Sequence, residues 1–161
     1  MKYKKLITIL ILFISFFVVG CKKNNTISLY DGVGKLSCSR EGSLDGGSVS
    51  FNYDIDYKNG YITRLHSTEK VTSEDNSILD TYEEAYKNIF ANYKGLKYYD
   101  NNITREENTV ICDTVINYQK IDIDKLLEIE GSEDNVIEDG KVKVITWKSF
   151  AEKFGTTCQK S

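Results

Sequence analysis

Val49-Ser50-Phe51-Asn52-Tyr53-Asp54-Ile55-Asp56-Tyr57 alternates apolar and polar residues without a break, and Lys58-Asn59-Gly60-Tyr61 follows at once. A period of two puts Val49, Phe51, Tyr53, Ile55 and Tyr57 on one face of a strand and the polar residues on the other. One face is therefore buried and the other wet. Asn59-Gly60 is a strong hairpin signal, because both residues tolerate positive φ. Two registers compete. A two-residue Asn59-Gly60 loop pairs Lys58 with Tyr61 and turns Arg64 and His66 toward the apolar face. A three-residue Lys58-Asn59-Gly60 loop pairs Tyr57 with Tyr61 and Tyr53 with Leu65, and keeps that face apolar. A one-residue slip flips every side chain, so the three-residue loop is expected.

The rest of the chain is read outward from this hairpin. Before it, Lys35 to Arg40 reads as a short strand, and Gly42, Asp45, Gly46 and Gly47 read as a loop. After it, residues 76–94 carry Ile78, Tyr82, Tyr86, Ile89 and Tyr93 at helical steps, capped by Asn76 or Ser77 and stopped by Gly95. Leu96 to Tyr99 reads as a strand, Asp100 to Asn108 as a polar connection, and Thr109 to Tyr118 as a buried strand. Asp122 caps a short helix over Ile123 to Glu130, ended by Gly131. An acidic loop, Ser132 to Gly140, leads to a strand over Lys141 to Ile145. Thr146 caps a last helix with Trp147, Phe150, Ala151 and Phe154 on one face, and Gly155 ends it. Hairpins with helices set between them predict an α+β fold. Its sheet is mostly antiparallel, with a long central helix and two short helices packed on one face. Residues 35–161 form a single domain, long enough to bury a core without metals.

The N-terminus has a different composition. Lys2, Lys4 and Lys5 precede an apolar run from Leu6 to Val19, and Gly20 stands directly before Cys21. A positive head, an apolar stretch and a small residue at the cleavage site make a secretory signal peptide. The run is short for a membrane span, which needs about 20 apolar residues. Val18-Val19-Gly20-Cys21 resembles the lipobox of bacterial lipoproteins. In that class the cysteine thiol receives a diacylglycerol and the peptide is cut just before it. The expectation is a signal peptide over 1–20, lipidation at Cys21, and a flexible tether over 21–34. The protein would then sit on the extracytoplasmic face of the cell membrane, held there by lipid. Losing the three lysines takes the net charge from −3 to −6. That argues against a nucleic-acid partner and against a polybasic membrane surface. No proline occurs in 161 residues, which reads as codon bias in an AT-rich genome rather than as chemistry.

Three pieces of the chain together resemble the YehR-like family of small bacterial lipoproteins. They are Tyr86-Lys87-Asn88-Ile89 running into Gly95-Leu96, then Tyr118-Gln119-Lys120-Ile121-Asp122 with Leu126-Leu127 and Gly131, then Gly140-Lys141-Val142 ahead of a C-terminal helix and Gly155. The resemblance covers about residues 35–158. It implies a lipid-anchored α+β domain and supplies no catalytic residue. Family members carry one cysteine near the first strand and one near the C-terminus, places that Cys38 and Cys158 match. The resemblance therefore implies a Cys38–Cys158 disulfide tying the two ends of the domain together. Cys112 departs from the pattern and is expected as a buried free thiol. Export permits such a bridge, and three reduced core thiols are the alternative. No pair has Cys-x-x-Cys spacing, so neither a redox motif nor a zinc knuckle is indicated.

Other candidates have a plain structural explanation beside the chemical one. His66 is the single histidine and no nucleophile elbow accompanies it, so an exposed strand position explains it. Asp122 and Asp124 could work as an acid–base pair, but a helix cap accounts for Asp122. Glu133, Asp134, Glu138 and Asp139 could hold calcium in the 132–140 loop, yet they lack the EF-hand pattern. Most of the eleven tyrosines fall on expected core faces. Tyr98 and Tyr99 are adjacent, so one should point outward, and they are the aromatic candidates for a surface site. No catalytic residue, metal site or cofactor is expected. The leading expectation is a lipid-anchored envelope protein presenting a non-enzymatic binding or interaction domain to an envelope protein or small ligand. A calcium or small-ligand binder is second. An enzyme acting on cell-wall material through paired carboxylates is third.

Overall fold

A computed structural model describes residues 29–131 and 136–160. The order is β1 (Val33–Leu44), β2 (Gly47–Lys58), β3 (Tyr61–Ser73), α1 (Asn76–Phe90), a 3-10 turn (Ala91–Tyr93), β4 (Tyr99–Glu106) and β5 (Thr109–Asn117). Then come α2 (Ile123–Glu130), β6 (Ile137–Glu138), β7 (Lys141–Val142), α3 (Val144–Lys153) and β8 (Thr157–Lys160). Six strands form one antiparallel sheet in the order β4-β5-β3-β2-β1-β8, while β6 and β7 make a separate ribbon. The fold is α+β and mostly sheet. Among the described residues no helix is long and apolar enough to cross a membrane.

The central hairpin has a two-residue loop, not the expected three. Lys58 pairs with Tyr61, and Asn59 and Gly60 take φ of 51° and 82°. This is type I′ geometry, whose twist matches that of the flanking strands. The face is kept consistent by a bulge further along. Tyr57 pairs with Ile62 but Asp56 pairs with Arg64, so Thr63 is an extra residue. Its hydroxyl donates to the Asp56 carbonyl at 3.1 Å. Beyond the bulge Leu65 faces Ile55 and Ser67 faces Tyr53, so Arg64 and His66 return to the wet side. The expected Tyr57–Tyr61 and Tyr53–Leu65 pairs do not form.

The domain begins earlier than expected. Tyr30 is buried, its ring edge-on to Tyr57 at 5.4 Å. The Tyr30 and Gly32 carbonyls accept from Gly60 N (2.8 Å) and Asn59 N (2.6 Å), so the hairpin loop binds this segment. Gly34 pairs with Tyr57, whose ring lies across it; a Cβ there would stand 2.3 Å from the tyrosine oxygen. Residues 30–34 of the expected tether thus belong to the domain. Residues 1–28, with the signal-peptide and Cys21 expectations, lie outside the described residues.

Several element boundaries also move. β1 runs through Gly42 to Leu44 and turns at Asp45-Gly46. Asp75, not Asn76 or Ser77, caps α1 by accepting from Ser77 N at 2.8 Å. Leu96 to Tyr98 is a turn, and the expected polar connection is β4, an edge strand. Asn101 and Arg105 hold two of its inward positions, which hid the alternation. α3 starts at Val144 rather than after Thr146, leaving β7 two residues long. Asp122 does cap α2, accepting from Lys125 N at 3.2 Å, and Gly131 ends it.

The helices cover one face of the sheet. Register places Tyr99, Ile116, Leu65, Ile55 and Leu36 in one cross-strand row on that face. The next row is more polar: Asn101, Thr114, Ser67, Tyr53 and Cys38. Asn101 Nδ2 donates to the Thr114 hydroxyl at 2.7 Å within it. The buried apolar residues fall into two clusters, and the Cys38–Tyr53 end of this row belongs to the larger. The larger holds Leu36, Ile55, Tyr57, Leu126, Val144 and Trp147. The smaller holds Val71, Leu79, Tyr86, Val110 and Cys112. The opposite face carries polar pairs such as Lys35 Nζ–Asp56 Oδ1 (2.8 Å) and Ser37 Oγ–Asp54 Oδ1 (3.0 Å).

Candidate binding cleft

Between the two clusters, α1 and α3 stand apart over the sheet and leave a cleft of about 340 Å³. Each wall has a local cause. α1 buries Leu79 and Tyr86 against β3 and β5, which turns Tyr86, Ile89 and Phe90 toward the gap. Ile89 lies on the helix's apolar stripe yet is 38% exposed, because it faces the cleft rather than the core. α3 buries Val144, Trp147 and Ala151, and so brings Trp147 and Phe150 to the opposite wall. The Trp147 ring meets Tyr53 edge-on at 5.2 Å, and Phe150 meets Phe154 at 5.1 Å.

The floor comes from the sheet and carries the charge. Counting by twos from Leu65 brings Ser67, Glu69 and Val71 to the inner face, so Glu69 lies among apolar neighbours. Its register partners are Phe51 on β2 and Cys112 on β5. By solvent contact Glu69 is half-buried, but protein surrounds it on most sides, as at the bottom of a narrow cleft. Burial raises its pKa above the ordinary 4.5, outweighing the lowering by a hydrogen bond from Tyr86 and by the Arg40 charge. Burial and the Glu69 carboxylate raise the Tyr86 hydroxyl in turn. Arg40 lies across Phe51, its guanidinium carbon 4.0 Å from the ring centre, and Nη1 donates to the Phe154 carbonyl at 3.1 Å. The cleft can therefore take an apolar group and offer it one acid. Its lining contains a single carboxylate, whereas hydrolysis by paired carboxylates needs two.

The raised pKa has a consequence for stability. A carboxyl whose folded pKa exceeds its unfolded value stabilises the fold fully below the unfolded value. That contribution is lost as pH rises through the folded value. Glu69→Gln keeps the shape and removes the ionisation. It should unfold at a higher urea concentration than the wild type at pH 8, with the gap closing toward pH 4. A gap that widens toward acid would mean that Glu69 is held ionised.

No family model matches the chain, and no curated protein matches it. Among solved structures the chain is similar to Escherichia coli YehR, determined by NMR as a structural genomics target. The identity is 17%, over 76% of this chain and 88% of that one, with a TM-score of 0.53. The fold is YehR-like. A protein from Streptococcus pneumoniae TIGR4, also solved by NMR, is 16% identical over 90% of this chain and 92% of that one, with a TM-score of 0.50. At these identities both likenesses establish the fold and nothing about activity.

Within this YehR-like fold the expected site residues do not converge. Tyr98 is 47% exposed with φ of 69°, and Lys120 Nζ lies 5.6 Å from its ring centre. Tyr99 points inward and stacks on Tyr93 at 4.4 Å. The two tyrosines thus share no surface, and neither lines the cleft. Tyr99 does border a shallower depression beside β4, with Lys87, Tyr93, Lys94 and Asn101. Cys38 and Cys158 are joined, with Cα atoms 4.0 Å apart. Their strands are direct neighbours, because the chain beyond Gly155 forms β8 along β1. Cys112 is free and buried, its thiol pushed up to about 11 by burial.

His66 Nε2 lies 2.8 Å from Asp113 Oδ1 on the open face, and Thr68 donates to the same oxygen at 2.8 Å. Burial alone would raise the Asp113 carboxyl, but these two contacts bring it below the usual range. Of the acidic loop, residues 132–135 lie outside the described residues. Glu138 is ion-paired to Lys143 and held below the usual carboxylate range by it. Among the described residues no group of three potential metal ligands occurs. The residue that sequence reading missed is Glu69. Its signal was an acid at an inward position of β3, legible once Leu65 fixes the parity.

Proposed function

We propose that this chain is a lipid-anchored envelope protein whose YehR-like domain binds a ligand, without chemistry, in the cleft between α1 and α3. The observation that carries this reading is the cleft itself. Tyr53, Ile89, Phe90 and Phe150 present apolar surface there, beside the buried rings of Tyr86 and Trp147. Concave, mostly aromatic sites with few polar groups are the usual form of small-ligand sites. The Cys21 motif supplies the anchor, and a chain held at the membrane exterior meets extracellular or envelope ligands.

Nile red, a neutral apolar dye, tests the cleft. It should bind the full chain in a 1:1 ratio with increased emission. Ile89→Trp, at the exposed mouth, should fill the cleft and abolish that binding without lowering the melting temperature. Equal binding by the variant would place the dye elsewhere and remove the reading. The anchor is tested separately. Cys21→Ser should leave a longer, unprocessed precursor that takes up no labelled palmitate. Unchanged processing and membrane retention would contradict the lipobox.

A further inference from the structure

We propose that the cleft binds an organic cation, an ammonium group on an apolar body, seated against the Glu69 carboxylate between the rings of Tyr53, Tyr86 and Trp147. This rests on the reading of the cleft as a ligand site and adds the charge of its ligand. Glu69 is the acid of the lining. It receives a hydrogen bond from Tyr86, and an ionised carboxylate offers about four acceptor sites. Acceptor capacity therefore remains on the cleft side. The walls favour the same sign, because aromatic faces attract cations. The cleft already shows this contact in the guanidinium of Arg40 over Phe51. In the strand register Arg40 lies on the other side of Phe51 from Glu69, and its guanidinium is already engaged by the Phe51 ring and the Phe154 carbonyl. A neutral ligand would gain no ion pair with the acid, and an anion would meet it as a like charge. The net charge of −3 attracts cations at longer range. The volume suits a ligand at the small end of the usual range of about 300–1,000 Å³.

Trp147 is the single tryptophan and reports from the cleft wall. Its fluorescence in the full chain is to be followed during titration with hexyltrimethylammonium, 1-hexanol and hexanoate. Hexyltrimethylammonium should bind roughly tenfold tighter than 1-hexanol, and hexanoate weakest. Glu69→Gln should bring the cation to the level of 1-hexanol measured in the same variant. A second readout needs no variant. The groups facing Glu69 are Tyr86 from α1, Cys112 from β5, Arg40 from β1 and Tyr53 from β2. Burial raises the two tyrosines and the thiol, all of them weaker acids than a carboxyl, so Glu69, itself raised above its ordinary value by burial, is the first of these acids to ionise as the pH rises. Affinity for the cation should rise with pH as Glu69 ionises, while affinity for 1-hexanol does not rise. Equal affinities for cation and alcohol, a preference surviving Glu69→Gln, or a flat pH profile would each overturn the proposal and leave the cleft reading standing. If no probe perturbs Trp147, the cleft reading fails as well.

Discussion

Replacing Cys38 and Cys158 together with alanine should cost about 4–5 kcal/mol of unfolding free energy in the loop-entropy model. The magnitude follows from the length of chain enclosed, a sequence separation of 120 residues. Without the bridge the unfolded chain regains nearly all the freedom of its two ends. The native state also loses a fastening, because β8 is four residues long and joins the sheet along β1 alone. Releasing β8 would bare β1 as an edge strand, a template for pairing with another chain. Urea unfolding of the double variant against the oxidised parent measures the loss. A shift in melting temperature on the order of 15 °C is expected for a domain of this size. Unreduced peptide mapping should show Cys38 joined to Cys158 and Cys112 unpaired. A loss below about 1 kcal/mol, or a cross-link containing Cys112, would contradict the assignment.

Leu79→Ala should cost about 2–5 kcal/mol, the range for deleting a fully buried leucine. Leu79 has no exposed surface and lies in the smaller cluster, with Val71, Tyr86, Val110 and Cys112. α1 fully buries only Leu79 and Tyr86, and its other links to the sheet are half-buried side chains and the Arg105 contacts with Asn76, Asp80 and Glu83. The loss should therefore be local as well as global. Amide exchange along α1 should quicken more than along the β1–β2 hairpin. Nile red binding should weaken too, because α1 carries one wall of the cleft. Leu126→Ala is the control. It removes an equally buried leucine from the larger cluster and should leave cleft binding unchanged. If both variants weaken the dye equally, the two clusters act as one core.

Much of this molecule follows from residues close together in the chain. Alternation through Val49 to Tyr57 and the Asn59-Gly60 turn specify a hairpin, because side-chain period and positive φ are local properties. Asp122 and Gly131 bound α2 for the same reason. The bulge at Thr63 was less legible. Moving the extra residue from the loop to the strand preserves the same buried face, so the pattern allowed both solutions. Turn twist decided between them. β4 was hidden because an edge strand tolerates Asn101 and Arg105 at inward positions. The cleft was hidden in a different way. Tyr86, Ile89 and Trp147 read as core residues, and each does lie on an apolar helix face. That two such faces stop short of meeting is a property of helix placement.

Local periodicity and capping therefore settled the class of fold, the main hairpin and two of the helices, since each depends on chemistry within a few residues. Tertiary structure alone decided that the last residues return as β8 beside β1. It also turned Glu69 from one more strand residue into the acid of an aromatic cleft. Both depend on contacts between residues far apart in the chain, whose register and spacing no local pattern encodes.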